Sequence, residues 1–409
     1  MTRPGETAVV WDDALCAYDF GPAHPMDPVR LELTAALARS FGLFDLPRVR
    51  LISAPVADGS VLETIHDPVF VQAVRDASAA GLNPSAEERT HLNRWGLATP
   101  EVPIFPGMDE ASARLVGGSI AAVTEILEGR CERAVSFSGG MHHAKSGFAG
   151  GFCVFNDAAA AIAAALAAGE ERIVYLDLDV HHGDGVEQIF WNDPRVTTIS
   201  IHQSGDTLYP GTGFIQDSGG PAAPGTAINI PMPAGTRPED WLRAIDGAID
   251  PLIRAIRPTL LVTQHGADSH SIDPLADMDL TIEAQRAAML MCRDLATTAA
   301  GGRWLALGGG GYSVADVVPR SWTHLVAVVV DADIDADAPI PEEELQRMWD
   351  GAHRTGAVPP RAFTTMGDGS EPVFRPWSAG FNPEHPVDRL VQSVRRVHFP
   401  EWGLDPLYD

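Results

Sequence analysis

The sequence predicts an α/β domain built on a parallel sheet with helices on both faces. Three observations carry this. Short β-branched runs alternate along the chain with longer amphipathic ones, as βαβ units do. The short runs are apolar on successive residues, as in strands covered on both sides. Glycine-rich and polar clusters follow these runs, where open α/β sheets keep their chemistry, at the carboxyl ends of the strands.

The elements follow in order. Ala134–Phe137, Ile173–Asp179, Val196–His202, Thr226–Ile230, Leu260–Gln264 and Trp304–Leu307 read as buried strands. Ala111–Glu128, Asn156–Ala168, Trp241–Ile256 and Thr281–Ala300 read as helices, and Asp184–Trp191 as a short one. Behind the strands come SGGMHHAKSGFAGGF, DLDVHHGDG, HQSGDTLYPGTG, QHGADSH and GGGGYS. In a parallel sheet these five loops, scattered in sequence, meet at one edge. Residues 1–333 form the main domain. Residues 334–409 are rich in Pro, Asp and Glu and read as an irregular extension packed on it, docked through Trp377 and Trp402.

Composition narrows the function. The chain has 409 residues, 45% apolar, with 55 acidic against 29 basic side chains and a formal charge of −26. That is a globular composition, neither disordered nor repetitive. No basic stripe offers a grip on phosphates, so nucleic acid is not an expected partner. The acidity serves solubility, or attraction of a cationic substrate. Cys16, Cys131, Cys153 and Cys292 are too sparse for a disulfide framework and include no CxxC pair. The start, MTRPGETAVVWDD, lacks the layout of a signal peptide. The longest apolar stretch, Ala158–Ala168, is about half of a ~20-residue span. A cytoplasmic protein with no membrane segment is expected.

Asp179-Val-His181 is the sharpest local signal. Residues two apart at a strand end share a side, so a carboxylate and an imidazole can face one ion. A metal-free Asp–His pair is the plainer alternative for this motif alone. Asp268, after another strand, offers a third ligand, and two carboxylates with one imidazole leave room for water, as in a catalytic zinc site. His142-His143 lie in a glycine-rich loop. A metal-assisted hydrolase needs a base for water and an acid for the leaving amine, and histidine suits both. Asp177 and Asp184 are spare carboxylates that could orient the two imidazoles. Gly308–Gly311 followed by Tyr312 fails the phosphate-loop pattern. It is either an ordinary glycine turn or a mount for a tyrosine that donates to an oxyanion. Phe152 and Tyr209, in two of the same loops, could wall a slot for a slim apolar chain.

Together and in this order, HPMDPVR, SGGMHHA, GGFCVFND, VYLDLDVHHGDG, LYPGTG, HGADS and GGGGY resemble the zinc-dependent histone deacetylase superfamily, from about Trp11 to about Val330. Within it the chain looks most like bacterial acetoin-utilisation deacetylases, supported by PEVPIFPGMDEASARLVGGS and FRPWSAGF. The resemblance implies the arginase/deacetylase fold, with a central eight-stranded parallel sheet, and makes residues 1–333 the deacetylase catalytic domain. It implies Asp179, His181 and Asp268 as ligands of zinc, or of ferrous iron, since these donors suit both. It implies His143 as general base and as acid for the amine, His142 as its electrostatic partner, Asp177 paired with His142, and Asp184 with His143. Tyr312 would polarise the acetyl carbonyl. Phe152 and Tyr209 would wall the acetyl-lysine tunnel, and Gly151 would offer its carbonyl to the substrate amide. Structural potassium is implied too: Asp177, Asp179, His181, Ser200 and Ile201 match an inner site, and Phe190, Asp193 and Val196 parts of an outer one, where Thr226 stands in place of the family's aromatic residue.

Two further departures concern substrate. The family's rim aspartate falls on Glu101, one methylene longer. Leu275 stands where polyamine-specific relatives carry an acidic gatekeeper, which favours acetyl-lysine over acetylpolyamines. The expected activity is hydrolysis of N-ε-acetyl-lysine in proteins, releasing acetate, with acetyl-CoA synthetase as a partner suggested by the acetoin link. Acetylpolyamines or other small acetyl amides are the runner-up. An arginase-like reading fares worse, because its second-metal carboxylates are replaced by Gly183 and His270. A non-catalytic acyl binder fares worse too, because every catalytic position is filled.

Overall fold

The computed structural model describes residues 6–22, 24–357 and 364–408; residues 1–5, part of the stretch read for a signal peptide, lie outside it. Its eight strands are β1 Thr7–Val10, β2 Val49–Ile52, β3 Arg133–Ser136, β4 Ile173–Asp177, β5 Val196–Gln203, β6 Ala227–Met232, β7 Leu260–Gln264 and β8 Trp304–Leu307. They form one sheet in the order β2-β1-β3-β8-β7-β4-β5-β6, and every pairing is parallel. All carboxyl ends therefore lie on the same edge.

Helices cover both faces. Adjacent residues at the end of β3 point opposite ways. On one side, Gly118 of the helix Met108–Leu127 lies against the Ser136 side chain. On the other, Phe137 packs against Trp322 of the helix Val317–Val329, ring centroids 6.5 Å apart. The inner strands β3, β4, β7 and β8 are buried almost throughout. Each needs apolar side chains on both faces, which is why their sequences do not alternate.

The structure adjusts several expected boundaries and adds elements. β1 and β2 were not among the strands read from the residues; each has four residues. β4 stops at Asp177: the Leu178 N–H makes the last ladder bond, to the Gln264 carbonyl of β7, and the Asp179 N–H turns instead to Asp177 Oδ1. The helix expected over Trp241–Ile256 starts at Pro238 and contains a π-helical turn at Ile245–Ile249. Asn156 and Thr281 are N-caps, accepting from the N–H groups of Ala159 and Ala284.

The described residues beyond 333 are only partly irregular. They hold the helices Glu342–Thr355 and Pro386–His398. The first starts with Glu342, Glu343 and Glu344 and ends near His353 and Arg354, charges that suit the helix dipole. It packs on the helix Val29–Ser40; the second covers edge strand β6. Arg243 binds both carboxylate oxygens of Asp388, at 2.6 and 2.7 Å, and stacks 4.8 Å from the Trp377 ring. Trp402 donates to the Gly225 carbonyl at 3.2 Å. Among the described residues no helix is long and apolar enough to cross a membrane, and all four cysteines are free thiols.

Candidate active site

Five loops at the carboxyl edge converge on one centre. The turn after β4 carries Asp179 and His181, and the turn after β7 carries Asp268. One ligand atom from each lies within 4.8 Å of the others, and all three residues are buried. His181 Nδ1 is 3.2 Å from Asp179 Oδ1 and 3.1 Å from Asp268 Oδ2. The other carboxylate oxygens are occupied. Asp179 Oδ2 accepts from Gln264 Nε2 at 2.7 Å and the Gly310 N–H at 2.8 Å, and Asp268 Oδ1 from the Val180 N–H at 3.1 Å.

This donor set fits a divalent cation. Burial lowers the proton affinity of His181, but Asp179 and Asp268 outweigh it and bring its pKa to about 10. Burial and the Asp179 charge push Asp268 up to about 6, and a divalent cation taking the place of the His181 proton would keep both carboxylates ionised. Two oxygens and one nitrogen are zinc-type ligands that leave a position open.

Beside this centre the histidine pair is held edge to edge. His142 Nδ1 is 2.8 Å from Asp177 Oδ2, His143 Nδ1 is 2.7 Å from Asp184 Oδ1, and the two Nε2 atoms are 3.0 Å apart. Buried Asp157 holds their loop by accepting the Gly140 and Met141 N–H groups. Burial disfavours charge on both rings, but the neighbours differ. Asp177 and Asp179 raise His142 to about 9. Burial and the His142 charge take His143 down to about 4 despite Asp184. The two environments therefore favour the proton on His142 over His143. With its Nδ1–H given to Asp184, His143 keeps Nε2 as its basic nitrogen.

A cavity of about 270 Å³ leads to this centre, lined by Glu101, His143, Gly151, Phe152, His181, Leu208, Tyr209, Leu275 and Tyr312. The five residues proposed from the sequence for substrate all lie on its wall, joined by Leu208, which the sequence reading did not single out. Phe152 and Tyr312 meet edge to face at 5.5 Å, and Tyr209 meets His143 at 5.1 Å. Glu101 accepts from the Gly151 N–H. Gly151 has φ +53°, and a Cβ there would stand 2.1 Å from the His143 ring, so only glycine lets the tunnel wall close on the base.

The sequence assigns no role to four supporting residues, although Arg30 and Gln264 stand inside the motifs HPMDPVR and QHGADSH. Tyr18, buried, donates to the Phe152 carbonyl at 2.8 Å and accepts from the Val154 N–H. Arg30 donates to the carbonyls of Gly309 and Gly311 at 3.0 and 3.2 Å, bracing the glycine turn under Tyr312. Asp273 Oδ2 accepts from the Tyr312 N–H at 2.8 Å. Gln264 holds Asp179, as above. Each acts across long sequence separations, where local pattern carries no information.

Of the potassium candidates, Asp177 and Ser200 are register partners on β4 and β5, with Ile201 next to Ser200. The Ser200 hydroxyl lies 2.8 Å from His202 Nδ1. Phe190, Asp193 and Val196 form one turn through N–H···O bonds of 2.9 and 3.2 Å, while the Asp193 carboxylate binds Arg195. Thr226 caps its own turn by donating to the Ala223 carbonyl.

Residues 24–329 match the histone deacetylase domain. The chain is 35% identical over 320 residues to the acetoin utilization protein AcuC of Bacillus subtilis, covering 78% of this chain and 81% of that one. It is 32% identical over 324 residues to AcuC of Staphylococcus xylosus, covering 79% and 82%. With the eight-stranded parallel sheet and the site at its carboxyl edge, these matches place the chain in a known group: it belongs to the histone deacetylase family.

Proposed function

We propose that this protein hydrolyses N-ε-acetyl-lysine in proteins, giving acetate and the free lysine amine. The observation that carries the reading is His143, paired with Asp184 on the wall of a largely apolar cavity and next to the buried Asp179–His181–Asp268 cluster. A divalent cation held by those three side chains, zinc or ferrous iron, would supply Lewis acidity and acidify water.

The chain's own residues do the rest. Phe152, Tyr209, Leu208 and Leu275 exclude water from the butyl chain of the substrate, and the Gly151 carbonyl accepts its amide N–H. His143 Nε2 takes the proton of the attacking water as oxygen bonds to the acetyl carbon. The charged His142 next to it, steadied by Asp177, and the Tyr312 hydroxyl favour the negative charge that grows on the carbonyl oxygen. As the C–N bond breaks, His143 returns its proton to the amine. Asp184 keeps the ring oriented throughout.

Residues 1–333 are the catalytic domain in this reading, and Ser200 and its neighbours hold potassium beneath it. Acetyl-CoA synthetase is the partner inferred from the family resemblance; the relatives' names carry only the acetoin link. A single-ion centre is favoured over an arginase-like pair. At Gly183 a Cβ would lie 2.2 Å from Asp177 Oδ2, so no second-ion carboxylate fits there, and His270 turns away to Asp368. The test is acetate release from an acetyl-lysine peptide beside acetylspermidine. Preference for the peptide is expected; preference for acetylspermidine would transfer the reading to acetylpolyamines.

A further inference from the structure

The family match ends at residue 329, yet a carboxylate well beyond it reaches the loop that carries Asp268. Asp368 Oδ2 lies 2.8 Å from His270 Nε2 and accepts the Ile282 N–H at 2.8 Å, and its Oδ1 accepts from Arg320 Nη1 at 2.8 Å. The segment is tied in on both sides. Glu283 Oε1 accepts the N–H groups of Asp368 and Gly369, each at 2.7 Å, and Met366 is fully buried. Arg320 is fully buried as well and also donates to the Gly367 carbonyl.

His270 organises the loop that follows Asp268. Its N–H goes to the Ala267 carbonyl, and its own carbonyl accepts from the Asp273 N–H at 2.9 Å. Its Nδ1 accepts from the Ile272 N–H at 3.2 Å, so the ring hydrogen sits on Nε2 and is donated to Asp368. Asp273 in turn accepts the Tyr312 and Leu275 N–H groups at 2.8 and 3.0 Å. One loop thus sets a cluster carboxylate, the tunnel-wall leucine and the backbone of the tyrosine, and its far side is anchored on Asp368.

We propose that Asp368 is a positioning residue for the active site, acting through His270 on Asp268 and through Asp273 on Tyr312. The C-terminal segment thereby forms part of the catalytic unit. The inference rests on the deacetylase reading above. Partners of this kind are worth about 10- to 100-fold in metal affinity or activity when they act directly on a ligand; one step further back, the lower end is expected.

The test compares full-length wild type, Asp368→Ala, Asp368→Asn and a control, Arg354→Ala. The control breaks the exposed 2.6 Å ion pair of the same segment with Glu32, away from the loop. Zinc affinity is read by competition with a chromophoric chelator, and kcat and KM by acetate release from an acetyl-lysine peptide. Asp368→Ala should bind zinc about tenfold more weakly and lose about tenfold in kcat with KM within about twofold. Asp368→Asn, which keeps size and one acceptor, should fall between, and Arg354→Ala should match wild type. If Asp368→Ala does not fold, Asp368→Asn carries the test. Wild-type zinc affinity and kcat in the aspartate variants, even with a lowered melting temperature, would make the residue merely structural and overturn the inference alone. A wild-type protein that binds no zinc and releases no acetate would overturn the deacetylase reading and this inference together.

Discussion

Replacing Tyr312 by phenylalanine removes one hydroxyl and leaves the architecture around it intact. The backbone N–H of Tyr312 is held by Asp273 at 2.8 Å, its ring edge meets Phe152 at 5.5 Å, and Arg30 braces the preceding carbonyls. None of these uses the hydroxyl, and among the described residues no protein group accepts it. Its loss therefore orphans no buried partner, and the melting temperature should stay within about 1–2 °C, as for changes away from such features. Burial, then the Asp268 and Asp179 carboxylates, raise its pKa well above the ordinary tyrosine value, so it remains a donor at working pH. One preorganised oxyanion donor is worth about 10²–10³ in kcat, or about 3–4 kcal/mol. The assay is acetate release from an acetyl-lysine peptide, with KM, metal content and thermal unfolding measured on the same preparation. A kcat within twofold of wild type would refute the role assigned to the hydroxyl. An unfolding temperature many degrees lower would show that it has a structural partner.

Other perturbations give equally definite expectations. His143→Ala should lose about 10²–10⁴ in turnover, the worth of general acid–base catalysis; a half-active variant would refute the base assignment. Asp388→Ala leaves the Arg243 guanidinium buried without its carboxylate, so denaturant unfolding should show a loss of about 3–5 kcal/mol, and a loss below about 1 kcal/mol would show that the extension docks by other means. His66 is buried, its Nδ1 3.0 Å from the Lys145 carbonyl and its Nε2 accepting from the Asn156 N–H, and burial takes its pKa from 6.5 to about 4. The unfolded chain takes up that proton near pH 6.5 and the folded chain only near 4. The contribution is therefore complete above pH 6.5 and falls as pH drops towards 4, by about 1.4 kcal/mol per unit. Between pH 7 and 5, wild type should lose about 2 kcal/mol more than His66→Gln; equal losses would contradict the neutral, buried state. Leu275→Glu should raise the acetylspermidine-to-peptide ratio of kcat/KM about tenfold, the scale of one charge-assisted hydrogen bond, and an unchanged ratio would remove Leu275 from substrate selection.

Much of the centre was legible because its residues sit at fixed offsets after strands. Asp179 and His181 share a side two residues apart, and His142-His143 and Gly308–Tyr312 follow the short buried runs Ala134–Phe137 and Trp304–Leu307, so the parallel sheet itself brings them together. The inner strands were legible for the same reason: apolar residues on both faces leave a continuous signal. β1 and β2 were not: VRLI of β2, at the sheet edge, is only partly buried, while TAVV of β1 is as short and as buried as β8 but has no glycine-rich cluster behind it. The count of eight strands came from the family resemblance, not from their own sequences. The extension misled because Pro and acidic residues dominate it, while the helices Glu342–Thr355 and Pro386–His398 bury only narrow faces that include Met348, Ala352, Val391 and Val394. Tyr18, Arg30, Asp273 and Asp368 act across the fold on backbone groups or other loops, and no spacing rule joins Asp368 to Asp268.

In the proposed mechanism a single metal ion held by Asp179, His181 and Asp268 makes this cluster a deacetylase centre. The direct measurement strips the protein with a chelator, then titrates zinc, and in a separate anaerobic series ferrous iron, while following acetate release from an acetyl-lysine peptide. Stripped protein should release no acetate, activity should rise linearly to a plateau at one ion per chain, and Asp179→Ala and Asp268→Ala should show neither binding nor activity. Full release from stripped protein, or a plateau that requires two ions, would contradict the mechanism.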